Sequence, residues 1–158
     1  MLSDEVEVMR NIPIFAKIDR AKLKLLAFGS ERLRFQSGDY IVREGDMGDC
    51  CYVLLDGAGE VLVATPQGSL KVAEIGKYDV VGEIAILCDV PRTASVRAVS
   101  AVDTLCITKD LFFSLLKEFP DIAIEVMRVL AHRLENMTKL VRQKVAPREQ
   151  SLGTGEGV

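Results

Sequence analysis

Between Arg32 and Ile107 the sequence is a succession of short apolar or alternating runs, each closed by a turn that most often carries glycine. The runs are residues 33–35, 40–42, 52–55, 61–64, 70–75, 95–99 and 103–107. Ser37-Gly38-Asp39, Glu44-Gly45-Asp46, Asp56-Gly57-Ala58-Gly59 and Pro66-Gln67-Gly68 lie between them. Strands this short and this closely spaced turn back on their neighbours. The pattern therefore predicts antiparallel pairing in a β-roll or jelly-roll barrel. Val53-Leu54-Leu55 has no polar alternation, which predicts a strand covered on both faces.

Helices flank the strands. Residues 2–11, with Ser3 or Asp4 as cap, and residues 19–28 read as two short helices. Residues 110–118 read as a third. Pro120 then opens a long helix, with Asp121 and Glu125 near its start and Lys139, Arg142 and Lys144 near its end, as the helix dipole favours. Pro147 predicts its stop, and the polar, glycine-rich stretch after it predicts a disordered tail. The expected fold class is α+β, mainly β. One domain spans residues 1–146, with a roll at 31–108, C-terminal helices at 109–146 and a tail at 147–158.

The strand series is interrupted once, at residues 82–88 (GEIAILC), which contain no turn residue and fit two turns of helix. A helix start offers unpaired N–H groups that suit an anion, and Gly82 lets a ligand approach the backbone closely. Arg92 follows nine residues after Glu83, beside the rigid Pro91. A guanidinium there can fold back over the helix start and hold a phosphate through two parallel hydrogen bonds. Thr93 adds a hydroxyl and an N–H. Glu83 repels a phosphate but accepts hydrogen bonds, so a ribose hydroxyl suits it. An anion site beside a hydroxyl site describes a sugar phosphate or nucleotide.

The runs Gly82-Glu83-Ile84-Ala85 and Pro91-Arg92-Thr93-Ala94 together resemble the phosphate-binding cassette of cyclic nucleotide-binding domains. The stretches from Phe35 to Asp39, Glu44 to Asp49 and Asp49 to Gly59 resemble that family's first strands and central hairpin, so the likeness covers nearly the whole chain. The resemblance implies a ligand, cAMP or cGMP, with no further cofactor. It assigns the ribose 2′-hydroxyl to Glu83, the cyclic phosphate to Arg92 and to backbone N–H groups around Gly82, Ile84 and Ala85, and leaves Thr93 either to help select the purine or only to support the phosphate. The family's last helix covers the base. By position, Arg133 resembles the arginine that bacterial channel domains place over the base. Thr138 resembles a hydroxyl residue of catabolite activator proteins, a pattern from which Met137 departs.

Met127, Leu130, Leu134, Met137 and Val141 repeat at intervals of three and four, a heptad seam that predicts a homodimer through residues 127–141. The expected role is a non-enzymatic sensor whose last helix rearranges on ligand binding. The alternatives are a relative of Crp/Fnr-type regulators whose output domain is absent, and a degenerate domain serving as a protein-interaction module. The output partner is left open. A net charge of -3 argues against direct nucleic-acid binding. A single histidine, His132, and four cysteines with no C-x-x-C pair argue against a metal site. No signal peptide or membrane-spanning run is present in the sequence, which predicts a cytoplasmic protein.

Overall fold

The computed structural model describes the backbone of residues 2–156 and the side chains of residues 5–143. Capping by Ser3 or Asp4 lies outside the described residues. The described chain forms two compact units, Met1–Ile122 and Ala123–Val158.

The first unit begins with α1 (Leu2–Arg10), a 3-10 turn at Pro13–Phe15 and α2 (Arg20–Gly29). Val6 and Met9 on α1, Ile12 and Phe15 at the turn, and Leu23 and Leu26 on α2 are buried. Their three-residue spacing gives each helix one apolar stripe. Asp19 caps α2 by accepting from the Ala21 N–H.

Eight strands follow: β1 (Glu31–Phe35), β2 (Tyr40–Val42), β3 (Cys50–Asp56), β4 (Gly59–Thr65), β5 (Gly68–Ile75), β6 (Val80–Val81), β7 (Ser95–Ala98) and β8 (Val102–Thr108). They form two four-stranded antiparallel sheets, ordered β1-β8-β3-β6 and β2-β7-β4-β5. Leu54, Val81 and Val102 from the first sheet and Ile41, Val42, Ile75, Val96 and Ala98 from the second make the core between them. This is the expected mainly β roll, built as two facing sheets.

The strand β3 is buried at Cys50, Cys51, Val53, Leu54 and Leu55, as its unalternated sequence predicts. Leu54 points into the sheet-on-sheet core. Cys51 and Val53 pair with Ile107 and Leu105 of β8, and all four are buried. Helices α3 (Glu83–Cys88) and α4 (Lys109–Glu118) both pack on β3. Helices on one face and a sheet on the other keep residues 53–55 from solvent, and the exposed Asp56 ends the strand.

The last helix, α5, runs from Pro120 to Glu156. The sequence places its end at Pro147, and the structure corrects this, since residues 147–156 are helical rather than an unstructured tail. Proline removes one N–H from the ladder, but its fixed φ is itself helical, so one lost bond need not end the helix. Within the second unit Met127, Leu134, Met137 and Val141 are exposed. Among the described residues no helix is long and apolar enough to cross a membrane.

Candidate functional site

Strand β6 delivers the site. Val80 and Val81 pair with Val53 and Tyr52 of β3, and the chain then turns sharply at Gly82, with φ 89° and ψ 5°. That left-handed conformation suits glycine. An added Cβ on Gly82 would also collide with Arg92 Nη1, the end of that side chain.

Helix α3 starts at Glu83 and is anchored by Ala85 and Ile86, both buried, while Ile84 is exposed. Asp89 ends it in the left-handed region at φ 53°, and the Val90 N–H donates to the Ala85 carbonyl at 3.2 Å. This is a terminating device in which backbone donors return to the last turn's carbonyls.

The chain then reaches Pro91, which forms a β-bridge with Met47. The Arg92 N–H donates to the Asp46 carbonyl at 2.8 Å, and the Gly45 N–H donates to the Arg92 carbonyl at 2.9 Å. The side chain of Arg92 is fixed as well. Nη1 donates to the Gly82 carbonyl at 2.9 Å and Nη2 to the Cys50 carbonyl at 2.8 Å. Its residue is only 7% exposed. A buried guanidinium held by two carbonyls is oriented rather than swinging in solvent, with two of its five N–H donors engaged.

Glu83 is 2% exposed. Buried carboxylates are rare without partners or a function. Cys51, on the strand beneath, is sensitive to both charges. Burial pushes its thiol pKa up, Glu83 pushes it further, and Arg92 pulls it down. Glu83 and Arg92 thus bear on one neighbourhood. Among the described residues no buried side-chain nitrogen or oxygen lacks a partner, and no group of three or more His, Cys, Asp or Glu side chains is arranged to hold a metal.

The structure brings Gly82, Glu83, Ile84, Ala85 and Arg92 together around the start of α3. Thr93 follows on an exposed bend and Ala94 is half-buried. Arg133 and Thr138 lie on α5 in the other unit, with Thr138 Oγ1 donating to the Leu134 carbonyl at 3.0 Å. Sequence reasoning missed the segment from Gly45 to Cys50, which reaches Arg92 mainly through backbone atoms. Backbone carbonyls carry no side-chain signature, and the glycine at position 48 was the one available clue. It also missed Ser95, whose hydroxyl accepts from the Glu44 N–H at 2.9 Å.

The sequence pattern of the cyclic nucleotide-binding domain matches residues 32–119 of this chain. The chain belongs to the cyclic nucleotide-binding domain family and has the fold of its regulatory domains. A cGMP-dependent protein kinase of Toxoplasma gondii is 30% identical over 154 residues, covering 85% of this chain and 15% of its own length. A CRP-like cAMP-activated global transcriptional regulator of Mycobacterium tuberculosis is 27% identical, with 96% of this chain and 73% of its own length aligned. Among solved structures, the regulatory subunit of a cAMP-independent protein kinase A from Trypanosoma brucei matches with a TM-score of 0.72 and 29% identity. That match covers 83% of this chain and 47% of the regulatory subunit. The chain therefore spans a minor part of the kinase and about half of the regulatory subunit.

Proposed function

We propose that this chain is a cytoplasmic, non-catalytic sensor of a cyclic nucleotide, cAMP or cGMP. The observation that carries the reading is the pairing of a buried, carbonyl-anchored Arg92 with a buried Glu83 around one glycine turn. Arg92 binds the cyclic phosphate, with backbone N–H groups of residues 83–85 beside it. Glu83 accepts a hydrogen bond from the ribose 2′-hydroxyl. A guanidinium offers a planar fork that matches two phosphate oxygens, and a carboxylate accepts from a hydroxyl, so each group has the chemistry its assigned part of the ligand requires. Thr93, exposed beside Arg92, adds a hydroxyl to the same ligand.

The output runs through α5. Arg133 and Thr138 are its base-contacting residues, and ligand shifts the population toward the state in which they engage. The exposed repeat of Met127, Leu134, Met137 and Val141 supports a homodimer along this helix. The four free cysteines fit a reducing compartment.

Isothermal titration of the purified chain with cAMP and with cGMP tests the reading. Binding of either at micromolar concentration or tighter supports it, and the ratio of the two affinities reads the purine preference. Heat from neither ligand would sink it. For the dimer, sedimentation of the Leu134→Glu variant against the parent chain is the check, with a monomer expected.

A further inference from the structure

We propose that Gly48 is a positioning residue for the cyclic nucleotide. Its lack of a side chain leaves the space in which the guanidinium of Arg92 is seated. The inference rests on the reading of Arg92 as the phosphate-binding group. Gly48 lies outside the cassette, 44 residues before Arg92 in sequence. A Cβ built on it would stand 2.6 Å from Arg92 Cζ, 2.8 Å from Nε and 2.9 Å from Nη1. Carbon atoms do not approach one another to 2.6 Å, so an alanine here forces something to move.

What moves is determined by what surrounds the pair. Gly48 follows the bridge between Met47 and Pro91, and the segment before it is tied to the Arg92 backbone by the Gly45 and Asp46 bonds. Two residues on, the Cys50 carbonyl receives Nη2. The backbone on both sides of the contact is pinned, and the guanidinium is the end of a flexible side chain. The side chain therefore gives way. It loses its bonds to Gly82 and Cys50, and with them the orientation that presents its remaining N–H groups. Gly48 is not among the glycines with positive φ, so the substitution adds no backbone strain.

This contrasts with Gly57, where an added Cβ would meet the Ala101 carbonyl at 2.2 Å, a clash within the backbone that acts on folding rather than on a ligand. It contrasts equally with Gly76, where no atom lies within 4 Å and φ is not positive.

The test is a double-mutant cycle on the full chain, read by titration with whichever of cAMP or cGMP the parent chain binds more tightly, with thermal melts alongside. Gly48→Ala is expected to lower affinity by about tenfold or more, the scale of one charge-assisted contact, and to lower the melting temperature no more than Arg92→Ala does, because the Gly82 and Cys50 carbonyls lose the same donor. Gly76→Ala is the control and should leave affinity unchanged. In the Arg92→Ala background Gly48→Ala should have no further effect, because the group it displaces is gone. Parent-like affinity of Gly48→Ala alongside a weakened Arg92→Ala overturns this inference alone. An equal loss with and without Arg92 also overturns it. A parent chain that binds neither ligand, or an Arg92→Ala that binds normally, overturns the reading of the site instead. Should Gly48→Ala unfold, Gly48→Ser in the Arg92→Ala background separates the cases. Recovered folding there places the clash on the guanidinium, and continued unfolding overturns the inference.

Discussion

Arg92 Nη1 sits 2.9 Å from the carbonyl oxygen of Gly82, so the arginine of the cassette's second run is bonded to the glycine that begins its first. The same guanidinium reaches the Cys50 carbonyl through Nη2. Lysine carries a point charge on a flexible stem and cannot reproduce this fork. Arg92→Lys is therefore expected to weaken cyclic nucleotide binding by roughly tenfold or more and to lower stability by about 1–3 kcal/mol, because one part-buried and one buried carbonyl lose their donors. Calorimetric titration and denaturant unfolding measure the two effects separately. Unchanged affinity would remove Arg92 from the site.

Glu83→Gln keeps the size of a side chain that is 2% exposed but replaces an anionic acceptor with a neutral one. Affinity is expected to fall about tenfold, the scale of a hydrogen bond to a charged group. The loss should vanish when the ligand is the 2′-deoxy analogue, which has no hydroxyl to donate. If both ligands weaken equally, Glu83 serves the fold and not the ribose.

Gly57 has φ +91°, and a Cβ there would meet the Ala101 carbonyl and the Val102 Cα. Gly57→Ala therefore combines a left-handed alanine with a backbone collision. Its unfolding free energy should drop by about 2 kcal/mol or more. Ligand affinity of the fraction that remains folded should be preserved, since the turn lies outside the cassette. A melting temperature equal to the parent's would count against the geometry of this turn.

Cys106 has its pKa pushed up to about 12, first by burial and then by the neighbouring Cys50 thiol, from an ordinary value of 9.0. Burial raises the Cys51 pKa further still. Between pH 9 and 12 the unfolded chain has lost these protons while the folded chain keeps them. Deprotonation then favours unfolding, and stability falls as pH rises through this window. Melts from pH 7 to pH 11 should show a plateau and then a decline, and Cys106→Ser should reduce the decline. At pH 8 a thiol reagent should label the exposed Cys88 well before Cys51.

Much of this was legible in the sequence because it is local. The apolar runs match seven of the eight strands to within two residues, and the uninterrupted run at Val53-Leu54-Leu55 marks a stretch of strand with no solvent face. The cassette residues Gly82, Glu83 and Arg92 could be named because their chemistry resides in side chains. What was not legible is non-local. Strand β6 is two residues long and exists only because β3 pairs with it. The order of strands within each sheet follows from packing between segments distant in sequence. The seat of Arg92 is made of carbonyl oxygens at positions 50 and 82, which any residue would supply. The end of α5 was misjudged because a proline weakens a helix without always ending it.

The two-way backbone bridge of Gly45 and Asp46 with Arg92 means that the chain leaves one point after residue 46 and returns to it at residue 92. Everything between is an excursion with pinned ends, and it includes the turn that joins β4 to β5 near Gly68, where an added Cβ meets no atom within 4 Å. Extra residues inserted at that turn lengthen a loop whose closure is already secured, at a cost that grows only with the logarithm of its length. The domain is thus built to accept grafted cargo, such as a fluorescent reporter or an affinity tag, at residues 66–68 without displacing its arginine.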